Sequence, residues 1–193
     1  LFINGVYSKD ITFNHLTTEE GLSQFSVNSI YEDELGYIWI GTREGLNRLS
    51  GNKSIKTFKF IKNDPNSLFS NTILRVVGNK KGKIYLLCTD GVSEYDIKTE
   101  KFTTLLQGEI SAIHYRKRLY MSKRNEIYYY NNQSKSFNLY YTIANSNIKI
   151  TSLFLDNKNI LWIGTENSGV YKLNGNRQIS HPILKGNITN IYC

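Results

Sequence analysis

The chain is poor in the residues on which most chemistry depends. Its 193 residues include 2 Cys, 3 His, 1 Met and 2 Pro. Cys88 and Cys193 have neither metal-ligand nor redox spacing. Both read as small strand fillers, with a disulfide between them the less favoured alternative. No Gly-rich phosphate loop and no nucleophile elbow occurs. The acidic runs Glu19-Glu20 and Glu32-Asp33-Glu34 place strand neighbours on opposite faces, whereas a glycosidase needs two carboxylates facing one bond. The second run also lacks the ligand spacing of a calcium loop. The expectation is therefore no catalytic residue, no metal site and no cofactor. No stretch approaches the ~18 apolar residues of a membrane span.

What the chain has in quantity is aromatic side chains, 14 Tyr and 9 Phe. Aromatic and β-branched enrichment without helical stripes points to strands. The pattern also repeats. Ile38-Trp39-Ile40-Gly41-Thr42 with Gly45-Leu46 returns as Leu161-Trp162-Ile163-Gly164-Thr165 with Gly169-Val170. Weaker copies lie between, at Gly82-Lys83-Ile84-Tyr85-Leu86 with Asp90-Gly91-Val92 and at Leu119-Tyr120-Met121-Ser122 with Glu126-Ile127. A polar-polar-apolar marker precedes each copy: Asn28-Ser29-Ile30, Asn71-Thr72-Ile73, Ser111-Ala112-Ile113 and Thr151-Ser152-Leu153, with Thr189-Asn190-Ile191 opening a fifth unit. The period is about 40 residues, in the range of propeller blades.

Each unit parses into four short strands and three tight turns, an antiparallel meander. Such a sheet cannot bury both faces alone, and radial stacking of several makes a propeller. The predicted fold is all-β: a β-propeller fragment of about four four-stranded blades plus the first strand of a fifth. Residues 1–24 form a lead-in, in which Ile11 to Leu16 is expected to be a ring-closing outer strand. Blades are expected at 25–66, 67–107, 108–146 and 147–186, with 187–193 a partial fifth, all in one domain. Trp39 and Trp162 are expected to fill the wedge between blades, and Gly41 and Gly164 to admit the neighbouring sheet.

The formal charge is +8. Its lysines are scattered through turns, which favours a solvated surface over polyanion binding, so no direct nucleic-acid contact is expected. In a propeller the ligand meets the rim built from the loops between second and third strands and those joining blades. Here that rim offers Arg43, Glu44, Asp90, Arg124, Asn125, Glu166 and Asn167 as candidate ligand-binding residues. Arginine forks, amides and carboxylates suit sugar hydroxyls and uronic carboxylates.

Asn28 to Asp33, a Gly turn, Ile38 to Thr42 and Gly45 to Leu49 together resemble the two-component regulator propeller repeat. Phe13 to Ser23 is similar to the way such regions begin, and Asn63-Asp64-Pro65-Asn66-Ser67-Leu68 to the link between their first two blades. The resemblance is strong for the first and fourth units, moderate for the second and poor for the third. It implies a periplasmic sensor region of a membrane-bound hybrid histidine kinase. The oligosaccharide it detects would control polysaccharide-utilisation genes, and membrane contact would come only through other parts of the parent. His15, His114 and His181 are isolated and none suits a phosphoacceptor, so no enzyme activity is expected of this chain. Open blade edges would favour a homodimer. The rival readings are a propeller enzyme, lyase or hydrolase, acting on polysaccharide, and a scaffold of the WD-repeat kind. The start at Leu1-Phe2-Ile3 fits the remnant of an export signal and equally a segment excised from a longer chain.

Overall fold

Apolar residues alternating over runs of four to seven, punctuated by Gly, Asn and Lys turns, leave the backbone no partner but the neighbouring run. The computed structural model describes residues 15–175, 177–178 and 186–191, and among them there is no helix. The strands form four antiparallel meanders. The first holds β1 (Val27–Glu32), β2 (Ile38–Thr42), β3 (Gly45–Leu49) and β4 (Ile55–Phe58). The second holds β5 (Ile73–Gly78), β6 (Lys83–Cys88), β7 (Gly91–Asp96) and β8 (Lys101–Gln107). The third holds β9 (Ala112–Arg116), β10 (Arg118–Lys123), β11 (Glu126–Asn131) and β12 (Ser136–Thr142). The fourth holds β13 (Ile150–Leu155), β14 (Ile160–Thr165), β15 (Val170–Asn174) and β16 (Arg177–Gln178). β1, β5, β9 and β13 pack one on the next as the innermost strands, giving the radial order of a propeller. Cys193, His181 and most of the expected ring-closing strand Ile11 to Leu16 lie outside the described residues.

The core is a set of wedges between blades. Trp39 and Leu46 of blade 1 meet Ile73, Val76, Ile84 and Leu86 of blade 2. Tyr85, Leu87 and Val92 then meet Ile113, Leu119 and Met121 of blade 3. Tyr120 and Ile127 in turn meet Leu153, Leu161 and Ile163 of blade 4. Trp39, Tyr85 and Tyr120 thus all project toward the following blade. Trp39 is fully buried, 5.3 Å from the Tyr95 ring. A Cβ on Gly41 would stand 2.7 Å from Ile73 Cγ2, so the expected close approach of the next sheet is present.

One expectation needs correcting. Ile30 pairs with Ile40 and Leu153 with Ile163, but Ile73 pairs with Cys88. Ile73 therefore corresponds to Val27 and Ile150, which face Thr42 and Thr165. The counterpart of Ile30 is Val76, opposite Leu86, and in blade 3 it is Ile113, opposite Met121. The steps become 76−30 = 46, 113−76 = 37 and 153−113 = 40. The register shifts after Val27, Ile73 and Ile150 explain the slip. A β-bulge adds one residue, so positions three apart regain the same face. Ile73 and Val76 both turn toward blade 1, and residue type alone cannot separate them.

The tryptophans are held by a second repeated residue. Asp33 Oδ1 accepts the N–H groups of Leu35 and Tyr37, and Oδ2 accepts the Trp39 indole N–H at 2.7 Å. Asp156 does the same for Lys158, Ile160 and Trp162, the last at 2.9 Å. Hydrogen bonds from the Trp162 indole and the turn hold the Asp156 carboxyl below the usual range. In blade 2 Tyr85 replaces the indole, and Asn79 accepts only the two turn N–H groups, from Lys81 and Lys83. An acid is retained where an indole must be satisfied, and an amide suffices where none is present.

Asp33→Ala leaves a buried indole N–H and two turn N–H groups without acceptors. It should cost about 2–4 kcal/mol in denaturant unfolding. Asp33→Asn, which keeps one acceptor, should cost less.

His114 sets a pH dependence. Its ring lies edge-on to Phe154 at 5.3 Å, and its buried Nε2 has no hydrogen-bond partner. Burial pushes its pKa down from 6.5 to about 4, with the charges of Arg75 and Arg116 acting the same way. Because the folded chain holds the neutral ring, this contribution is complete above about pH 6.5 and is lost as pH falls to about 4. It amounts to about 3 kcal/mol. Urea midpoints across that range should drop for the parent and flatten in His114→Leu.

Candidate ligand-binding end of the propeller

A meander places its β1–β2 and β3–β4 turns at one end of the blade and its β2–β3 turn and onward crossing at the other. The second, the crossing end, is where the candidate residues lie. Arg43 and Glu44 occupy the β2–β3 turn, Asp90 the β6–β7 turn, Arg124 and Asn125 the β10–β11 turn, and Glu166 and Asn167 the β14–β15 turn. Arg43, Glu44, Asp90, Arg124 and Asn167 are exposed, while Asn125 and Glu166 are half-buried.

These turns are tied to the next crossing through backbone groups, which leaves the arginine side chains outward. The Arg43 carbonyl accepts from Thr72 Oγ1 at 3.2 Å. The Arg124 carbonyl accepts from Ile150 N at 2.9 Å. Asn125 instead uses its side chain structurally, since Nδ2 donates to the Ile143 carbonyl at 2.8 Å while the Asn125 carbonyl accepts from Ile143 N. Glu166 sits 3.9 Å from Lys149. The structure spaces the candidates one turn per blade and does not gather them into one pocket.

Two of the hollows at or near this end bear on the candidates. Phe69, Thr89, Asp90, Gln107, Gly108 and Glu109 line an open depression of about 500 Å³. It carries two carboxylates. The neighbouring Cys88 thiol is buried and free, and burial pushes it up to about 12, so it stays protonated.

The other hollow, about 440 Å³, opens between the innermost strands, where Asn28 to Ile30 face Leu74 to Val77. Its polar contributors are fixed by short-range bonds. Asn28 Nδ2 donates to the Ile73 carbonyl at 2.9 Å, and Ser29 Oγ accepts Val76 N at 3.0 Å. Arg75 Nη1 donates to Asn190 Oδ1 at 2.8 Å, bringing the segment after blade 4 across to blade 2. Thr72, whose hydroxyl holds the Arg43 carbonyl, immediately precedes the strand that lines this cleft, but Arg43 itself is not part of the lining. The arrangement suits an elongated polar ligand carrying a carboxylate, with the Arg75 guanidinium in the cleft lining.

Arg75 and Asn190 were not among the residues picked from sequence. The usable signal was a break in the repeat: Arg75 opposes Leu87 where Ser29 opposes Gly41 and Ser152 opposes Gly164. The three-residue slip in the marker hid it. Among the described residues no three His, Cys, Asp or Glu stand close enough to hold a metal ion.

The described fold and its repeats agree with known proteins. The two component regulator propeller model matches residues 21–44 and 144–167, the first and fourth units. No curated protein matches the chain. Among solved structures, the fold is similar to the extracellular domain assigned to the hybrid two component system BT3049 of B. thetaiotaomicron. The TM-score is 0.71 at 21% identity, over 83% of this chain and 25% of that one. The BT4673 extracellular domain of the same organism gives 0.70 at 21% identity, over 86% and 24%. Virginiamycin B lyase from Staphylococcus aureus gives 0.64 at 13% identity, over 81% and 56%. The chain spans about a quarter of the length of the two extracellular domains. It is a β-propeller segment in which two stretches match the two component regulator propeller model.

Proposed function

We propose that this chain is the ligand-sensing propeller of a membrane-bound two-component signalling protein, acting outside the cytoplasm. It binds an oligosaccharide carrying uronic carboxylates and does not transform it. The parent's kinase and its control of polysaccharide-utilisation genes belong to the same reading. The observation that carries it is the cleft between β1 and β5 with Arg75 in its lining and the exposed Arg43 in the turn tied to Thr72, just before β5, in a scaffold of which two stretches match a regulator family. Guanidinium groups bind carboxylates through paired N–H donors, and a cleft of this size accepts a few sugar rings. Asn28 and Ser29 supply amide and hydroxyl groups beside it.

Thermal unfolding of the purified chain with uronic and neutral oligosaccharides tests this. A uronic ligand at a hundred times its Kd should raise Tm by about 5–11 °C. Arg43→Ala should leave the unliganded Tm unchanged and weaken binding about tenfold or more. Arg75→Ala should remove the shift. Chromatography of the ligand afterwards should show it intact, and a new product would make the chain an enzyme instead.

A further inference from the structure

The positive charge that is scattered along the sequence is gathered at one end of the propeller. At the crossing end the turns and crossings are balanced: Arg43, Lys59, Lys62, Arg124 and Lys149 stand against Glu44, Asp64, Asp90, Glu109 and Glu166. The opposite end, built from the β1–β2 and β3–β4 turns and their equivalents, is not. Lys53, Lys80, Lys117 and Lys135 lie at its tips, joined by Lys81, Lys98 and Lys158, and all are exposed. Its turn acids Asp33, Glu34, Glu100 and Asp156 keep their charge, so the seven lysines leave these turns at a net 7 − 4 = +3, against 5 − 5 = 0 at the crossing end. Asp33 and Asp156 hold indoles and turn N–H groups, Glu34 accepts from Gly82 N, and Glu100 pairs with Lys56 and Arg48. None of these lysines forms an ion pair with a described residue.

The backbone adds an independent observation. Lys53, Lys80, Lys117 and Lys135 have φ of 64°, 50°, 62° and 53°. Glycine or asparagine is the residue that left-handed turn positions ordinarily favour. Lysine holds four of the six non-glycine positions of this kind among the described turns at this end, Glu100 and Asn159 holding the other two.

Neighbouring turns are also tied to one another across blades. Lys117 Nζ donates to Asn159 Oδ1 at 2.9 Å across blades 3 and 4, and Gly82 and Glu34 join blades 2 and 1. β9 and β10 are linked by Lys117 alone. Among the described residues no exposed aromatic stands at this end to stack on bases, while Leu35 is exposed there at 63%. A face of separated ammonium groups with an apolar tip fits a plane of anionic headgroups. It offers a linear polyanion only a few contacts at once, and lysine supplies attraction without the directional fork of arginine.

We infer that this hairpin-turn end is a docking face for an anionic lipid bilayer surface. The inference is independent of the ligand assigned to the opposite end. Vesicles of phosphatidylcholine and phosphatidylglycerol at three to one should sediment the chain at low salt, with release near 1 M salt as screening shortens. Pure phosphatidylcholine should not. Each lysine near the surface contributes about fivefold, so replacing Lys53, Lys80, Lys117 and Lys135 together by Asn should lower partitioning roughly a hundredfold or more. Because Asn tolerates these turns, Tm should hold or rise, which separates lost binding from lost folding. Lys59→Asn with Lys62→Asn, at the other end, should change partitioning less than twofold. The inference is overturned by no sedimentation with anionic vesicles at low salt, or by sedimentation unchanged in the fourfold variant. It is equally overturned if dextran sulfate captures the chain while vesicles do not.

Discussion

Everything in this molecule depends on blades 1 to 3 each pressing one aromatic residue into the sheet that follows. A four-stranded meander with two apolar faces has no stability of its own, since conformational entropy consumes what a single face can return. Trp39 at the centre of β2, Tyr85 in β6 and Tyr120 in β10 convert separate sheets into one core. Removing an aromatic of this size from a closed interior typically costs 3–5 kcal/mol. The surroundings of Trp39 show why substitution would be felt. Gly41 admits Ile73 on one side, Phe58 and Tyr95 close the other, and Asp33 fixes the indole N–H.

The same constraint divides labour between the two ends of the blades. Strand centres are committed to packing, so variation is confined to turns and crossings. At the crossing end the backbone groups of those segments are consumed in tying blade to blade, as with Arg43 to Thr72 and Arg124 to Ile150. Their side chains are left to meet solute. At the other end the turns are short and self-contained, and what distinguishes them is charge. One scaffold thereby presents two chemically different faces without altering its interior.

The candidate residues read from sequence fell in the right turns because turn position follows from the repeat. Their roles did not follow. Asn125 has its amide committed to the Ile143 carbonyl, and Glu166 lies beside Lys149. Arg75 was overlooked because a bulge lets a three-residue slip preserve inward and outward faces. The acid at position 33 was weighed as chemistry, whereas its recurrence six residues before each tryptophan marks it as a packing device.

Sequence by itself determined the all-β class, the four-strand unit, the blade order and Trp39 as a wedge residue, whereas Trp162 is only half-buried. Those follow from local alternation and from a period long enough to survive divergence. Tertiary structure alone decided which positions are equivalent across blades, because a bulge is a backbone event with no side-chain signature. It alone decided that Arg75 reaches Asn190, a contact between residues 115 positions apart. It also decided where the charge goes: lysines spread through the chain become one face because every second turn of a meander returns to the same end.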